Sequence, residues 1–300
     1  MNNLQKQLIE AVICGKQDLA YKAAVASVNS ITTKSDTYFK EIMLKEIEKR
    51  DQPLVTLPDN LKNILILEQY DTFPIMRYLE RECDQAVVNT LQITYSAAAD
   101  LQERGIHYVP SAIFWGRSGC GKTMLAKYVA YKMRLPFAYI RFASMFGSLL
   151  GETNKKLSLI FNFIRQHPCV LCIDEIDMIG IQRGSLDVGE VNRICIGLMQ
   201  ELDAAPNNVI VIATTNRMDA IDDALKRRFS FKYHCSNMNA EEQKELTRKI
   251  FHTFDMTPPD EIINRTDSSN TADNIFQNCL DWYIQNKYLK NTVDKVDTIS

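Results

Sequence analysis

An α/β fold built on a mostly parallel sheet is what this sequence predicts, and three observations predict it. Short apolar runs alternate with helical text through the middle of the chain. A glycine-rich loop follows the first of these runs and opens a helix. The third run ends on two adjacent acids. Parallel strands are buried on both faces and need helical crossovers, so such alternation implies a sheet covered on both sides.

The elements follow in order. Leu4, Leu8, Ile9 and Val12, then Ile42, Met43 and Ile47, recur at three- and four-residue steps with no proline before Pro53, which predicts a helical N-terminal region over 1–52. The stretch DQPLVTLPDN carries two prolines and predicts a linker at 53–60. From Leu61 the text changes. Helical sequence (Arg77 to Leu101) leads to the strand AIFWG (Ala112 to Gly116), then to a helix from Lys122 to about Met133 and an apolar FAYIRF. A helix from Lys155 to Ile164 precedes VLCID (Val170 to Asp174), and a helix from Val191 to Leu202 precedes VIVIATT (Val209 to Thr215). This α/β unit is expected to span 61–235. After Tyr233 the β-rich pattern stops. AEEQKELTRKIFHTF and TADNIFQNCLDWYIQNKY read as helices of a small C-terminal unit, 236–290, followed by a polar flexible tail, 291–300.

Composition narrows the classes. With 46% hydrophobic and 24% charged residues in 300, the chain is of ordinary globular type. A formal net charge of -2 gives no bulk attraction to nucleic acid or to anionic membrane, so neither is an expected partner. The N-terminus lacks the leader pattern of a secreted protein and no window is apolar enough to span a bilayer, which makes a cytoplasmic location the expectation. Eight cysteines are scattered without a framework, and Cys169 and Cys172 read as small hydrophobes of a buried strand. His107, His167, His234 and His252 have no metal-site spacing.

The chemistry begins at Gly116-Arg117-Ser118-Gly119-Cys120-Gly121-Lys122-Thr123, which fits G-x-x-x-x-G-K-[ST] between a predicted strand and a predicted helix. Glycines let the backbone curl so that N–H groups point at phosphate oxygens, and the helix N-terminus adds partial positive charge. Lys122 is placed to reach the β- and γ-phosphates of ATP, and Thr123 to offer its hydroxyl to Mg²⁺. Met124, next along the helix, is assigned to the nucleotide with the loop. Asp174, delivered at the end of a buried strand, falls at the crevice where open α/β sheets bind ligands, near the metal. Glu175 is suited to take a proton from an attacking water. Asn216, ending the next strand, offers one donor and one acceptor to orient that water, although a turn-starting asparagine is the plainer reading. Arg227 and Arg228 either cap the preceding helix or reach a neighbouring subunit's γ-phosphate.

This order of signals resembles the AAA branch of the AAA+ ATPases, over roughly Leu61 to Lys287. GRSGCGKT is similar to its Walker A loop, VLCIDE to the Walker B strand, Asn216 to the sensor 1 position, and IDDALKRRF to the segment that ends in arginine fingers. TADNIF resembles the start of the lid helix at sensor 2, where this branch has a small residue, here Ala272. LPFAYIRFASMFGSLLGETNKKLSLIF, CVLCIDEIDMIG and DVGEVNRICIGLMQELD resemble a bacterial group of AAA ATPases often encoded beside subtilisin-like serine proteases.

The resemblance implies a P-loop NTPase αβα sandwich with a large ATPase subdomain and a helical lid. It implies Mg²⁺-dependent ATP hydrolysis in a homo-oligomeric ring, a hexamer, that remodels or unfolds a protein substrate. It also suggests a subtilisin-like protease as partner, in another chain. Leu149-Leu150-Gly151 stands where the family has its aromatic–aliphatic–glycine pore loop, with leucine in place of the ring that grips polypeptide. Two rival readings share the phosphate loop. A helicase or clamp loader would use a basic face, against which the near-neutral charge argues. A small-molecule kinase leaves Asn216, the arginine pair and the helical lid without a role.

Overall fold

Six strands form one sheet in the computed structural model, which describes residues 6–7, 9, 12, 17–31, 36–49, 57–140, 152–180, 188–267 and 269–289. The strands are β1 (Leu65–Glu68), β2 (Ser111–Trp115), β3 (Phe137–Ile140), β4 (Val170–Ile173), β5 (Ile210–Thr215) and β6 (Phe231–His234). Their order across the sheet is β1-β3-β4-β5-β2-β6, and all neighbours are parallel except β1 with β3. The α/β class with a mostly parallel sheet is therefore borne out.

The four inner strands are the four apolar runs of the sequence. Every residue of β4 and β5 is buried. Val170, Cys172, Ile210 and Ile212 share a core with Leu125 and Val129. The alternate residues Leu171, Ile173, Val211 and Ala213 are equally inaccessible, so both faces are covered. Cys169 and Cys172 are buried here as small apolar groups, and burial alone raises the Cys169 thiol to about 12. The outer strands β1 and β6 are not anticipated by the pattern. Each is four residues long, and in β6 half-buried residues alternate with exposed ones, which is what edge strands permit.

Contacts group the chain into two units, Met1–Lys62 and Asn63–Ser300. In the first, α1 (Gln17–Asn29) and α2 (Thr37–Lys49) pack on each other. Lys40 donates to the carbonyls of Asn29 at 3.2 Å and Ile31 at 2.9 Å, satisfying acceptors left open where α1 ends. Leu4 and Leu8 of the expected N-terminal pattern, and the expected tail at 291–300, lie outside the described residues.

In the second unit the helices are α3 (Glu82–Glu103), α4 (Lys122–Met133), α5 (Glu152–Gln166), α6 (Asp177–Gly180), α7 (Val188–Asp203) and α8 (Asp223–Lys226), followed by α9 (Ala240–Thr253), α10 (Asp260–Ile263) and α11 (Ala272–Ile284). Helix α4 contacts β4 and β5, and α5 packs on α7. The last three helices close their own apolar cluster around Leu246, Ile250, Phe251, Ile262, Ile275 and Cys279. Asn239 starts α9 as a reciprocal cap, accepting from the Glu242 N–H at 2.9 Å while its own N–H donates to the Glu242 carboxylate at 2.7 Å. Thr271 caps α11 by accepting from the Asn274 N–H at 3.2 Å.

Because β2, β4 and β5 are adjacent and parallel, their C-terminal ends share one edge of the sheet. The glycine loop, the acid pair and Asn216 follow those ends. Strand order, which no single sequence segment encodes, makes one site of three separated motifs.

Candidate nucleotide site

The loop after β2 depends on glycine at particular places. Gly121 is the N-cap of α4 with φ +92°, and Gly119 has φ +79°. A Cβ on Gly119 would also collide with the Thr271 methyl at the start of α11. The N–H groups of the first turn of α4 are left open toward the cavity, as helix geometry requires.

The Lys122 ammonium is buried and is held by three oxygen acceptors. Its Nζ donates to the carbonyls of Gly116 at 3.0 Å and Arg117 at 2.9 Å, and to Asn216 Oδ1 at 2.6 Å. Thr123 Oγ1 lies 3.3 Å from both Asp174 oxygens. Asp174 is oriented from two further sides: the Tyr139 hydroxyl donates to Oδ2 at 3.0 Å, and the Thr214 hydroxyl donates to Oδ1. Burial and the Asp174 charge both hold the Tyr139 phenol well above its ordinary value, so it stays a donor.

Glu175 is exposed, and its backbone lies in the left-handed region at φ +51°. A non-glycine residue stays there only where its surroundings impose it. Here the Glu175 N–H donates to Thr214 Oγ1 at 3.2 Å and the Ile176 N–H to the Thr214 carbonyl at 3.0 Å, turning the chain sharply after β4. One residue along β5, Thr215 donates to buried Asp177 at 2.8 Å and ties the strand to α6.

These groups line a cavity of about 450 Å³, which suits a nucleotide-sized ligand. Ser118, Gly119, Cys120, Gly121, Lys122, Thr123, Met124, Asp174, Glu175 and Asn216 lie along it, and Ala272 joins them from α11. Gly116 and Arg117 contribute the carbonyls beneath Lys122. Pro74, Leu79, Met238 and Leu246 give the cavity an apolar end. Tyr78, Arg81 and Asp84 also line it, and Asp84 is buried, accepting from Tyr78 Oη at 2.9 Å and from Arg81 Nε and Nη2 at 3.1 Å each. The donor set fits the ligands expected of it: a cation and open N–H groups for phosphates, and two hard oxygens, Thr123 and Asp174, face to face for Mg²⁺.

Neither Arg227 nor Arg228 lines the cavity of its own chain. Arg227 is exposed and makes no side-chain hydrogen bond or ion pair among the described residues. Arg228 forms a fork on Asp203, Nε to Oδ1 and Nη2 to Oδ2 at 3.0 Å each, and donates to the Ala224 carbonyl at 2.8 Å. Leu149, Leu150 and Gly151 lie outside the described residues.

Sequence reasoning missed Tyr139, Thr214 and the Asp84 cluster. Thr214 had a signal, a polar pair closing an apolar strand just before Asn216. Tyr139 had none, because its place beside Asp174 follows from β3 pairing with β4, where Tyr139 lies opposite Cys172.

A phosphate loop opening a helix, with an acid pair and a polar strand end around one cavity, defines a nucleotide-binding α/β domain of the phosphate-loop class. Residues 112–237 match the family described as ATPase family associated with various cellular activities (AAA). Among curated relatives, the "26S proteasome regulatory subunit 10B homolog A" of Arabidopsis thaliana is 31% identical over 188 residues, covering 52% of this chain and 47% of that protein. The "Putative 26S proteasome regulatory subunit homolog" of Methanothermobacter thermautotrophicus is 29% identical over 163 residues, covering 52% of this chain and 44% of that protein. The chain thus spans about half the length of the curated relatives it matches. Among the described residues no helix is long and apolar enough to cross a membrane.

Proposed function

We propose that the protein hydrolyses ATP with Mg²⁺ and uses the cycle to remodel or unfold a protein substrate, as a homo-oligomeric ring, in the cytoplasm. The observation that carries this reading is the convergence of Lys122, Thr123, Asp174, Glu175 and Asn216 on one cavity. Lys122 and the loop N–H groups hold the phosphates. Thr123 and Asp174 hold the metal, with Tyr139 and Thr214 fixing the carboxylate. Bound Mg²⁺ supplies charge neutralisation at the phosphate oxygens. Glu175 accepts the proton of the attacking water, and Asn216 orients that water beside the Lys122 ammonium.

Arg227 and Arg228 act on the nucleotide of the next subunit, Arg227 as the reaching group and Arg228 held by Asp203. That neither lines the cavity of its own chain supports this reading, which makes the ring necessary for turnover. Residues 61–235 are the ATPase subdomain and 236–290 the lid, whose Ala272 borders the nucleotide. Residues 1–52 are a helical N-terminal region joined by a linker at 53–60. Leu149, Leu150 and Gly151 form the pore loop, a hexamer is the expected ring, and a subtilisin-like serine protease is the suggested partner. The similarity to proteasome regulatory subunits supports work on protein substrates.

The test is phosphate release from ATP at increasing concentrations of the purified chain, with mass measured in parallel. Turnover per chain should rise as the oligomer forms. Equal turnover in the monomer would remove the arginines from the mechanism.

A further inference from the structure

Cys120 and Cys235 are not used by the mechanism above, yet they meet at its phosphate loop. Cys120 lies between Gly119 and Gly121, half-buried, and borders the cavity. Cys235 follows β6 directly and is buried, with its N–H donating to the Trp115 carbonyl at 2.8 Å, which pins it beside the end of β2. Cys235 belongs to the apolar core cluster, and Cys120 packs against that same cluster. Gly116 makes this approach possible, because a Cβ there would collide with the Cys235 carbonyl and sit 3.0 Å from Cys120 Sγ.

The two sulfurs differ in character. Cys120 Sγ lies 3.8 Å from Lys122 Nζ, just before the N-terminus of α4. Interaction with the Cys235 thiol, then the Lys122 charge, lowers the Cys120 thiol below its ordinary value against the opposing effect of its partial burial. The same interaction, together with burial, pushes the Cys235 thiol up. Cys120, lining the cavity beside the Lys122 ammonium, is therefore the accessible sulfur of the pair, and Cys235 is the buried one. Cys169 and Cys172, buried within and beside β4 with raised thiols, serve as unreactive internal references.

We infer that Cys120 and Cys235 form an oxidation site at the phosphate loop, where a peroxide converts the two thiols to a disulfide and nucleotide is excluded. In the first step the Cys120 sulfur attacks one oxygen of hydrogen peroxide. The O–O bond breaks, an S–O bond forms, and the hydroxide that leaves takes up the proton released by the Cys120 thiol to become water. In the second, the Cys235 sulfur attacks the Cys120 sulfur, the S–S bond forms, and the S–O bond breaks. The departing hydroxide takes the proton that Cys235 releases. The two sulfurs together lose two electrons, and the peroxide is reduced to two waters. The link draws Cys120 toward Cys235 and fixes the loop whose N–H groups face the cavity, so the phosphate cradle is lost until a dithiol reduces it.

The consequence for nucleotide rests on the function proposed above, whereas the cross-link does not. The experiment treats the full chain with hydrogen peroxide, alkylates the remaining thiols and maps peptides by mass. In parallel it measures binding of a fluorescent ATP analogue. The expected result is a peptide pair joined through Cys120 and Cys235, with analogue affinity weakened at least ~10-fold and restored by dithiothreitol. Cys235→Ala should bind the analogue as the reduced wild type does and yield no cross-link. Bound ATP should slow oxidation. Recovery of Cys120 as an alkylated thiol after peroxide would overturn the inference, as would a complete cross-link with unchanged analogue affinity. If the cross-link forms but the reduced protein binds no nucleotide at all, the nucleotide reading fails and the thiol chemistry stands.

Discussion

Lys122 Nζ donates to Asn216 Oδ1 at 2.6 Å, so one charge-assisted hydrogen bond joins the loop after β2 to the end of β5. The contact places the cation that would face phosphate beside the amide that would face water. It also predicts that the two residues fail differently. Lys122→Ala removes the cation and should abolish binding of an ATP analogue in a calorimetric titration. Asn216→Ala keeps the cation and should leave binding within about tenfold of wild type while turnover falls on the order of 10²–10³-fold. Equal losses of affinity in both variants would mean that Asn216 serves only to hold the lysine.

The arginine pair separates in the same way. Arg227→Ala should lower turnover of the assembled protein by about 10³-fold or more with little change in stability, because its exposed guanidinium makes no side-chain hydrogen bond or close ion pair among the described residues. Arg228→Ala breaks the fork on Asp203, a partly exposed pair whose contribution to stability is about 1 kcal/mol or less. Asp203→Asn is the informative variant. If Arg228 matters through its position, Asp203→Asn should reproduce part of the Arg228→Ala loss in phosphate release; wild-type turnover would show that the fork is only structural.

Tyr139 bears on the metal. Tyr139→Phe deletes the hydroxyl that donates to Asp174 Oδ2 and leaves the ring in place. The Mg²⁺ concentration for half-maximal metal-dependent analogue binding should rise ~10-fold, while metal-free analogue affinity stays unchanged. A variant with the wild-type Mg²⁺ requirement would leave Thr214 as the group that orients the carboxylate.

The buried Asp84 cluster should dominate the stability of its region. Asp84→Ala leaves Arg81 and the Tyr78 hydroxyl without their shared acceptor at an almost inaccessible site. The cost in urea unfolding should be about 3–5 kcal/mol. A loss below about 1 kcal/mol would mean that water replaces the carboxylate there.

Much of this was legible before any coordinates. The glycine loop is punctuation that only certain backbone conformations need, and the helix expected from Lys122 to about Met133 runs from Lys122 to Met133. The four inner strands were readable because burial on both faces leaves an unbroken apolar run. The edge strands were not: β6 reads FKYH, and half-exposed residues of that kind fit a strand or a loop equally well. The contacts of Tyr139 and the meeting of Cys120 with Cys235 depend on strand order and on the approach of distant backbone. The left-handed Glu175 was hidden for a related reason, since nothing about a glutamate announces positive φ. Its conformation is imposed by Thr214, thirty-nine residues away.

Glu175 carries the central claim that this cavity hydrolyses ATP. The most direct measurement compares wild type and Glu175→Gln for retained nucleotide and for phosphate release under identical Mg²⁺-ATP conditions. The account predicts that Glu175→Gln retains ATP with wild-type affinity while releasing phosphate on the order of 10²–10⁴-fold more slowly. Phosphate release by Glu175→Gln at the wild-type rate would contradict it.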